Sequence, residues 1–137
     1  MAYLQKINGT TGVTTADADT QVKRIKANRG TTLAGGNFTL SASFGSSAAV
    51  GSIAGTDTRA QFTITSVGTG QSANPTITLT FADGTYTTSP FAIVTRNGGD
   101  QPSVLPTWST TGTTLAITFP GTPAAGETYT FAVQILG

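Results

Sequence analysis

Six carboxylates, seven basic side chains and no histidine or cysteine set the chemistry open to this 137-residue chain. Without histidine it lacks the commonest general base, the commonest metal ligand and the usual partner of a serine nucleophile. Without cysteine it can form neither a disulfide nor a thiolate metal site. Hydrolysis by paired carboxylates needs two of them held about 5–10 Å apart across a cleft. Asp17 and Asp19 are neighbours near the N-terminus, whereas Asp57, Asp83, Asp100 and Glu127 each fall in a separate stretch of turn residues. That spacing points to no pair, and the expectation is a protein that is not an enzyme and uses no cofactor or metal. Asp57, in Gly55-Thr56-Asp57-Thr58, reads as an aspartate that caps its own turn rather than a cation ligand.

Three groups remain as candidates for binding a partner. Lys23, Arg24, Lys26 and Arg29 form a basic cluster, while the rest of the chain holds only three bases, Lys6, Arg59 and Arg96. No aromatic residues interleave with that cluster and the net charge is only +1, so it reads as a docking patch for a partner protein rather than for nucleic acid. Arg96, Asn97 and Asp100 surround Gly98-Gly99. That stretch reads first as a hairpin needing glycine for its geometry, and otherwise as a loop touching a sugar or a neighbouring subunit. Trp108, the single tryptophan, reads as partly buried core; its other role would be stacking at an interface or on a sugar.

The elements that must hold these residues are strands. From Asn37 onward apolar residues alternate with threonine and serine: Phe38, Leu40, Ala42 and Phe44; Phe62 and Ile64; Ile77, Leu79 and Phe81; Leu115, Ile117 and Phe119; Tyr129, Phe131, Val133 and Ile135. A period of two marks strands with one face in a core and one outward. Weaker strands are expected at 48–53, 90–96 and 104–109, with Ala92-Ile93-Val94 apolar on both faces and so central. Gly45-Ser46-Ser47, Gly68 to Gln71, Asp83-Gly84, Asn97 to Asp100 and Gly121-Thr122-Pro123 supply the turns. About eight short strands so spaced predict an all-β fold, an antiparallel β-sandwich or jelly-roll-like domain. The core is expected to include Phe38, Leu40, Phe62, Ile64, Ile77, Leu79, Phe81, Ile93, Leu115, Ile117, Phe119, Phe131 and Val133.

Composition agrees. Charged residues are only 9% of the chain, against about 25% in an ordinary domain, and 29 threonines carry much of the polarity. Threonine is β-branched and suits a pleated sheet. Low charge also means weak repulsion between copies. Residues 1–35 differ from the rest and read as an N-terminal arm, either a short helix over about 16–28 or an extended strand, followed by a Gly30–Gly36 linker and a domain at 36–137. No apolar run approaches the roughly 20 residues of a membrane span, and Met1 to Lys6 lacks the apolar stretch of a signal peptide, so no membrane partner is expected.

From about Ala48 to Gly137 the chain resembles a β-module that recurs in structural proteins of tailed bacteriophages, including fibre tips and proteins that decorate the head. The resemblance is carried by Val50-Gly51-Ser52-Ile53-Ala54-Gly55-Thr56-Asp57-Thr58, Phe62-Thr63-Ile64-Thr65, Thr76-Ile77-Thr78-Leu79-Thr80-Phe81, Ser89-Pro90-Phe91-Ala92-Ile93-Val94 and Pro123-Ala124-Ala125-Gly126-Glu127-Thr128-Tyr129-Thr130-Phe131, in that order. Arg59 departs from it, standing where the pattern has a small residue. The resemblance implies a virion component with no catalytic residues, working as a homo-oligomer, often a trimer. Two functions follow as expectations. One is a capsid decoration or cement protein that binds the major capsid protein or other virion proteins. The other is a tail-fibre or receptor-binding tip whose Arg96–Asp100 loop or Trp108 meets surface sugars. A carbohydrate-active enzyme is a third, minor reading, since a fold alone never excludes activity.

Overall fold

A computed structural model describes residues 29–101 and 104–137. The alternation read above becomes eight strands: β1 Phe38–Leu40, β2 Ala49–Thr56, β3 Arg59–Thr65, β4 Thr76–Thr80, β5 Phe91–Gly99, β6 Thr107–Thr110, β7 Thr114–Thr118 and β8 Thr128–Leu136. They form two four-stranded antiparallel sheets, ordered β1-β4-β7-β6 and β2-β3-β8-β5. The expected all-β sandwich is therefore observed.

Register follows from the period of two, because a slip by one residue would turn each apolar set outward. Phe62 lies opposite Phe131 and Ile64 opposite Tyr129 in one sheet, while Ile77 lies opposite Ile117 and Leu79 opposite Leu115 in the other. All eight of these side chains are fully buried. Each contributes about 1.5–3 kcal/mol when removed from water. Aromatic rings join the sheets at both ends of the core. Phe38 and Phe62 meet at 4.7 Å and Phe119 and Tyr129 at 4.7 Å, while Phe81 and Tyr86, both in the connection from β4 to β5, pack edge-on at 4.9 Å beside them.

The fold departs from the sequence reading in three places. The alternation over Phe38 to Phe44 does not make one strand: β1 ends at Leu40 and a 3-10 turn over Ala42–Phe44 follows, which still carries Phe44 into the core. Ala92-Ile93-Val94 is not central but lies on β5, the edge of its sheet. Ile93 is accordingly not core; Val94 points inward while Ile93, one residue away, is 53% exposed on the outer face. The Gly30–Gly36 stretch read as a linker packs onto the domain. Thr32 bridges to Thr56, the Leu33 amide donates to the Gly55 carbonyl, and the Leu33 side chain joins the core.

Candidate functional site

Three separate chain segments converge where the N-terminal segment meets the sandwich. The first is the Asp57-Thr58 turn, a tight two-residue connection between β2 and β3. The second is the Ala82-Asp83-Gly84 stretch after β4, and the third is residues 29–33. Asp57 is fully buried. Its Oδ1 accepts the Ala82 amide at 2.8 Å and its Oδ2 the Asp83 amide at 2.7 Å. The sequence reading that it caps its own turn is thus corrected: it caps a loop 25 residues further on. A buried carboxylate is tolerated only when hydrogen-bonded and paired. The pairing comes from Arg29, 3.5 Å from Oδ2 with its side chain 15% exposed.

Arg29 does more than neutralise Asp57. It donates to the Gly84 carbonyl at 2.8 Å, and its guanidinium carbon stands 3.3 Å from the centre of the Tyr86 ring, a cation–π stack. The Tyr86 hydroxyl donates to the Asp57 carbonyl at 3.3 Å. Burial raises the Tyr86 pKa above its ordinary value. Next along the chain, Thr31 gives its amide at 3.0 Å and its hydroxyl to the Asp83 carboxylate, and these two hydrogen bonds hold the Asp83 pKa below the usual value. Arg29 is therefore spent within the domain and is not an outward docking base. Lys23, Arg24 and Lys26, together with the helix or strand read over 16–28, lie outside the described residues.

The second set of candidate residues sits at the other end of β5. The Asn97 to Asp100 stretch is not a free hairpin loop, since β5 runs on to Gly99 and pairs with β8 across a bulge between Arg96 and Gly98. Glycine is required there as expected. Gly99 has φ +82°, and a Cβ on it would come within 2.3 Å of the Thr128 carbonyl oxygen. Arg96, on the inward phase of β5, turns its guanidinium over the rings of Tyr129, Phe119 and Phe131 at 5.1, 5.5 and 5.5 Å. It donates to the carbonyls of Gly98, Asp100 and Gln101. Burial lowers its pKa below the ordinary guanidinium value. The Asp100 carboxylate accepts the Thr128 amide at 2.8 Å, and Asn97 is exposed. Glu127 accepts the Gln101 side-chain amide at 2.7 Å and the Tyr129 hydroxyl. Burial first, and then that bond, raise the Tyr129 pKa.

Trp108 is not core. It is 41% exposed on the edge strand β6, with its indole N–H donated to the Ala92 carbonyl at 2.9 Å across the gap between the sheets. Together with Val94, Thr95, Arg96, Leu105 and Pro106 it lines an open, largely apolar cleft of about 520 Å³. Arg96 and Trp108, read separately from the sequence, thus share one cleft, while Asn97 and Asp100 do not line it. Among the described residues no three His, Cys, Asp or Glu side chains converge to hold a metal ion. The partners that sequence reasoning missed are Asp83 and Tyr86. Nothing in the local Asp83-Gly84 turn or the Thr-Tyr-Thr stretch signals that they receive Thr31 and Arg29. Comparison with protein-family models, characterised proteins and solved structures found no match.

Proposed function

We propose that this chain is a structural subunit of a tailed-bacteriophage particle, a head decoration or cement protein that binds the capsid lattice in many copies and has no catalytic role. The observation that carries the reading is the clasp at Arg29. Residues 1–28, which hold Lys23, Arg24 and Lys26, join the sandwich in sequence at Arg29, where a buried ion pair, a cation–π stack and the Thr31–Asp83 bonds fix the chain. A capsid contact made by that basic segment would thus join a chain position that is itself bonded to the two-sheet core. Many such weak attachments on one lattice add by multivalency. The resemblance of the strands β2 to β5 and β8 to phage structural modules points the same way. In vitro, the full chain should co-sediment with heads of its phage that lack it, and a variant without residues 1–28 should not, while keeping its β-sheet circular dichroism. Failure of the full chain to bind such heads, or undiminished binding of the shortened one, would overturn the proposal.

A second reading, a receptor-binding tip, is favoured by one specific observation: the exposed indole of Trp108 in the cleft beside Arg96. Aromatic faces flanked by donors suit sugar rings. Because Trp108 is the only tryptophan, its fluorescence reports on that cleft alone. A spectral change with host surface polysaccharide, together with binding to host cells, would support the tip; the absence of both would leave the decoration role.

A further inference from the structure

We infer that the outer face of the β2-β3-β8-β5 sheet is the surface through which copies of this chain pack on one another, anchored by Phe91, Ile93 and Leu136. The inference deepens the reading above, which has the chain acting in many copies, by naming the surface and the partner. The period of two sends Phe91 and Ile93 outward from β5, and Leu136 is the cross-strand partner of Phe91 on β8. Their exposures are 83%, 53% and 54%. Single exposed apolar residues are ordinary, but three contiguous large ones make a patch of a few hundred Å², the size at which such patches mark interaction sites.

The surroundings say what kind of partner fits. Across the same outer face the register places small and uncharged side chains, among them Gln61, Thr63, Thr130 and Ala132, with Arg59 the single charged residue. A face with one charge repels an identical face little. It also lacks the charge pattern that would steer it to an acidic or basic partner. The outer face of the opposite sheet shows threonines such as Thr76, Thr78, Thr80, Thr114 and Thr118, and the one large exposed apolar side chain on its strands, Trp108, lies on the inward phase of the edge strand β6. The area also suits a second copy. Four strands about 4.8 Å apart and up to about 30 Å long present roughly 500 Å² in projection and more in accessible surface. A stable interface buries about 800 Å² per partner.

The mode of contact is set by the edge. A sheet edge is the usual site for adding a foreign strand. At the start of β5 two carbonyls are already taken: Ala92 by the Trp108 indole at 2.9 Å and, just before the strand, Pro90 by the Thr110 hydroxyl at 2.6 Å. The apolar strip lies on the face of the sheet, so copies meet face to face through side chains rather than across the partly occupied β5 edge.

The test is sedimentation equilibrium of the whole chain over about 1–100 µM, the range in which an interface of this size with modest anchors associates. The wild type should self-associate. A Phe91→Ser/Ile93→Ser double variant should weaken association about tenfold or more, as loss of anchor residues does. Its melting temperature at the most dilute end of that range, where both chains are monomeric, should be close to that of the wild type, because both side chains are exposed. Thr78→Lys, on the other sheet, should associate like the wild type. A wild type that stays monomeric throughout overturns the inference, whether residues 1–28 or another protein covers the strip. A double variant that associates like the wild type overturns it as well. Head binding is read separately: a monomer that still decorates heads refutes only this surface, and an oligomer that fails to bind heads refutes only the proposed function.

Discussion

Replacing Asp57 by alanine should be among the most damaging single changes at a polar residue of the domain, although nothing in its turn sequence suggests so. The carboxylate is fully buried and accepts the amides of Ala82 and Asp83 at 2.8 and 2.7 Å. Removing it leaves two part-buried N–H groups without their acceptor, at about 1–3 kcal/mol each. Arg29 would keep the Gly84 carbonyl and the Tyr86 ring but lose its counter-ion. The expected loss is about 3–5 kcal/mol, a large share of the roughly 5–15 kcal/mol that holds a domain of this size. Asp57→Asn keeps one acceptor oxygen and should lose about half as much. Arg29→Ala leaves both amide bonds in place but strands the buried Asp57 carboxylate without its counter-ion, and should cost about 2–3 kcal/mol. Urea unfolding followed by circular dichroism measures all three, and an unchanged m-value would show that the losses belong to the folded state. The double variant should show coupling between Asp57 and Arg29, which are in contact. An Asp57→Ala loss below about 1 kcal/mol would refute the reasoning, because no buried unsatisfied amide could then exist there.

Gly99→Ala should destabilise by about 3 kcal/mol, since the new Cβ meets the Thr128 carbonyl oxygen at a φ of +82°. Gly84→Ala, with the same φ but open space around it, should cost only about 1 kcal/mol in the same urea experiment. Asp83 has its pKa depressed by the Thr31 hydroxyl and amide, so its stabilising contribution is present above the ordinary 3.8 and is lost as pH falls below that value. Hydrogen exchange by NMR should accordingly show the Thr31 to Leu33 amides losing protection in acid before the β3 and β8 amides do, and Asp83→Asn should abolish that acid step. Tyr86 and Tyr129 have raised pKa values, so both stay protonated in the fold, and the stability this gives is present below pH 10.0 and falls as pH rises past it. Absorbance at 295 nm should show these two of the three tyrosines resisting ionisation near pH 10.0 until the chain unfolds; prompt ionisation of all three would contradict the burial.

Much of the sandwich was legible because a period of two leaves few options. Phe62, Ile64, Ile77, Leu79, Leu115, Ile117 and Phe131 can only be buried if their strands carry threonine on the other face. Ile93 misleads for the same reason. An apolar residue on the outer face of an edge strand has the same pattern as one on a strand buried on both sides, and only the strand order tells them apart. Trp108 was obscured likewise, as its inward phase on β6 brings it to a gap at the sheet edge and not to the centre. The clasp could not be read at all. Asp57 reaches amides 25 residues away, and Arg29 reaches Gly84 and Tyr86 across more than 50. Such pairings depend on how two loops approach in space, which no local spacing encodes. The candidate bases divided accordingly: Arg29 and Arg96 both turn inward onto aromatic rings, where composition alone would leave them solvated.

The central claim is that this chain decorates a phage head in many copies, and its copy number per particle tests that most directly. Quantitative mass spectrometry of purified virions, with the major capsid protein as internal standard, gives the ratio. A lattice-bound decoration protein should be present in about the hundreds of copies, as summed weak contacts over a whole lattice require. A count of a few to a few dozen, or its absence from the particle, would contradict the account.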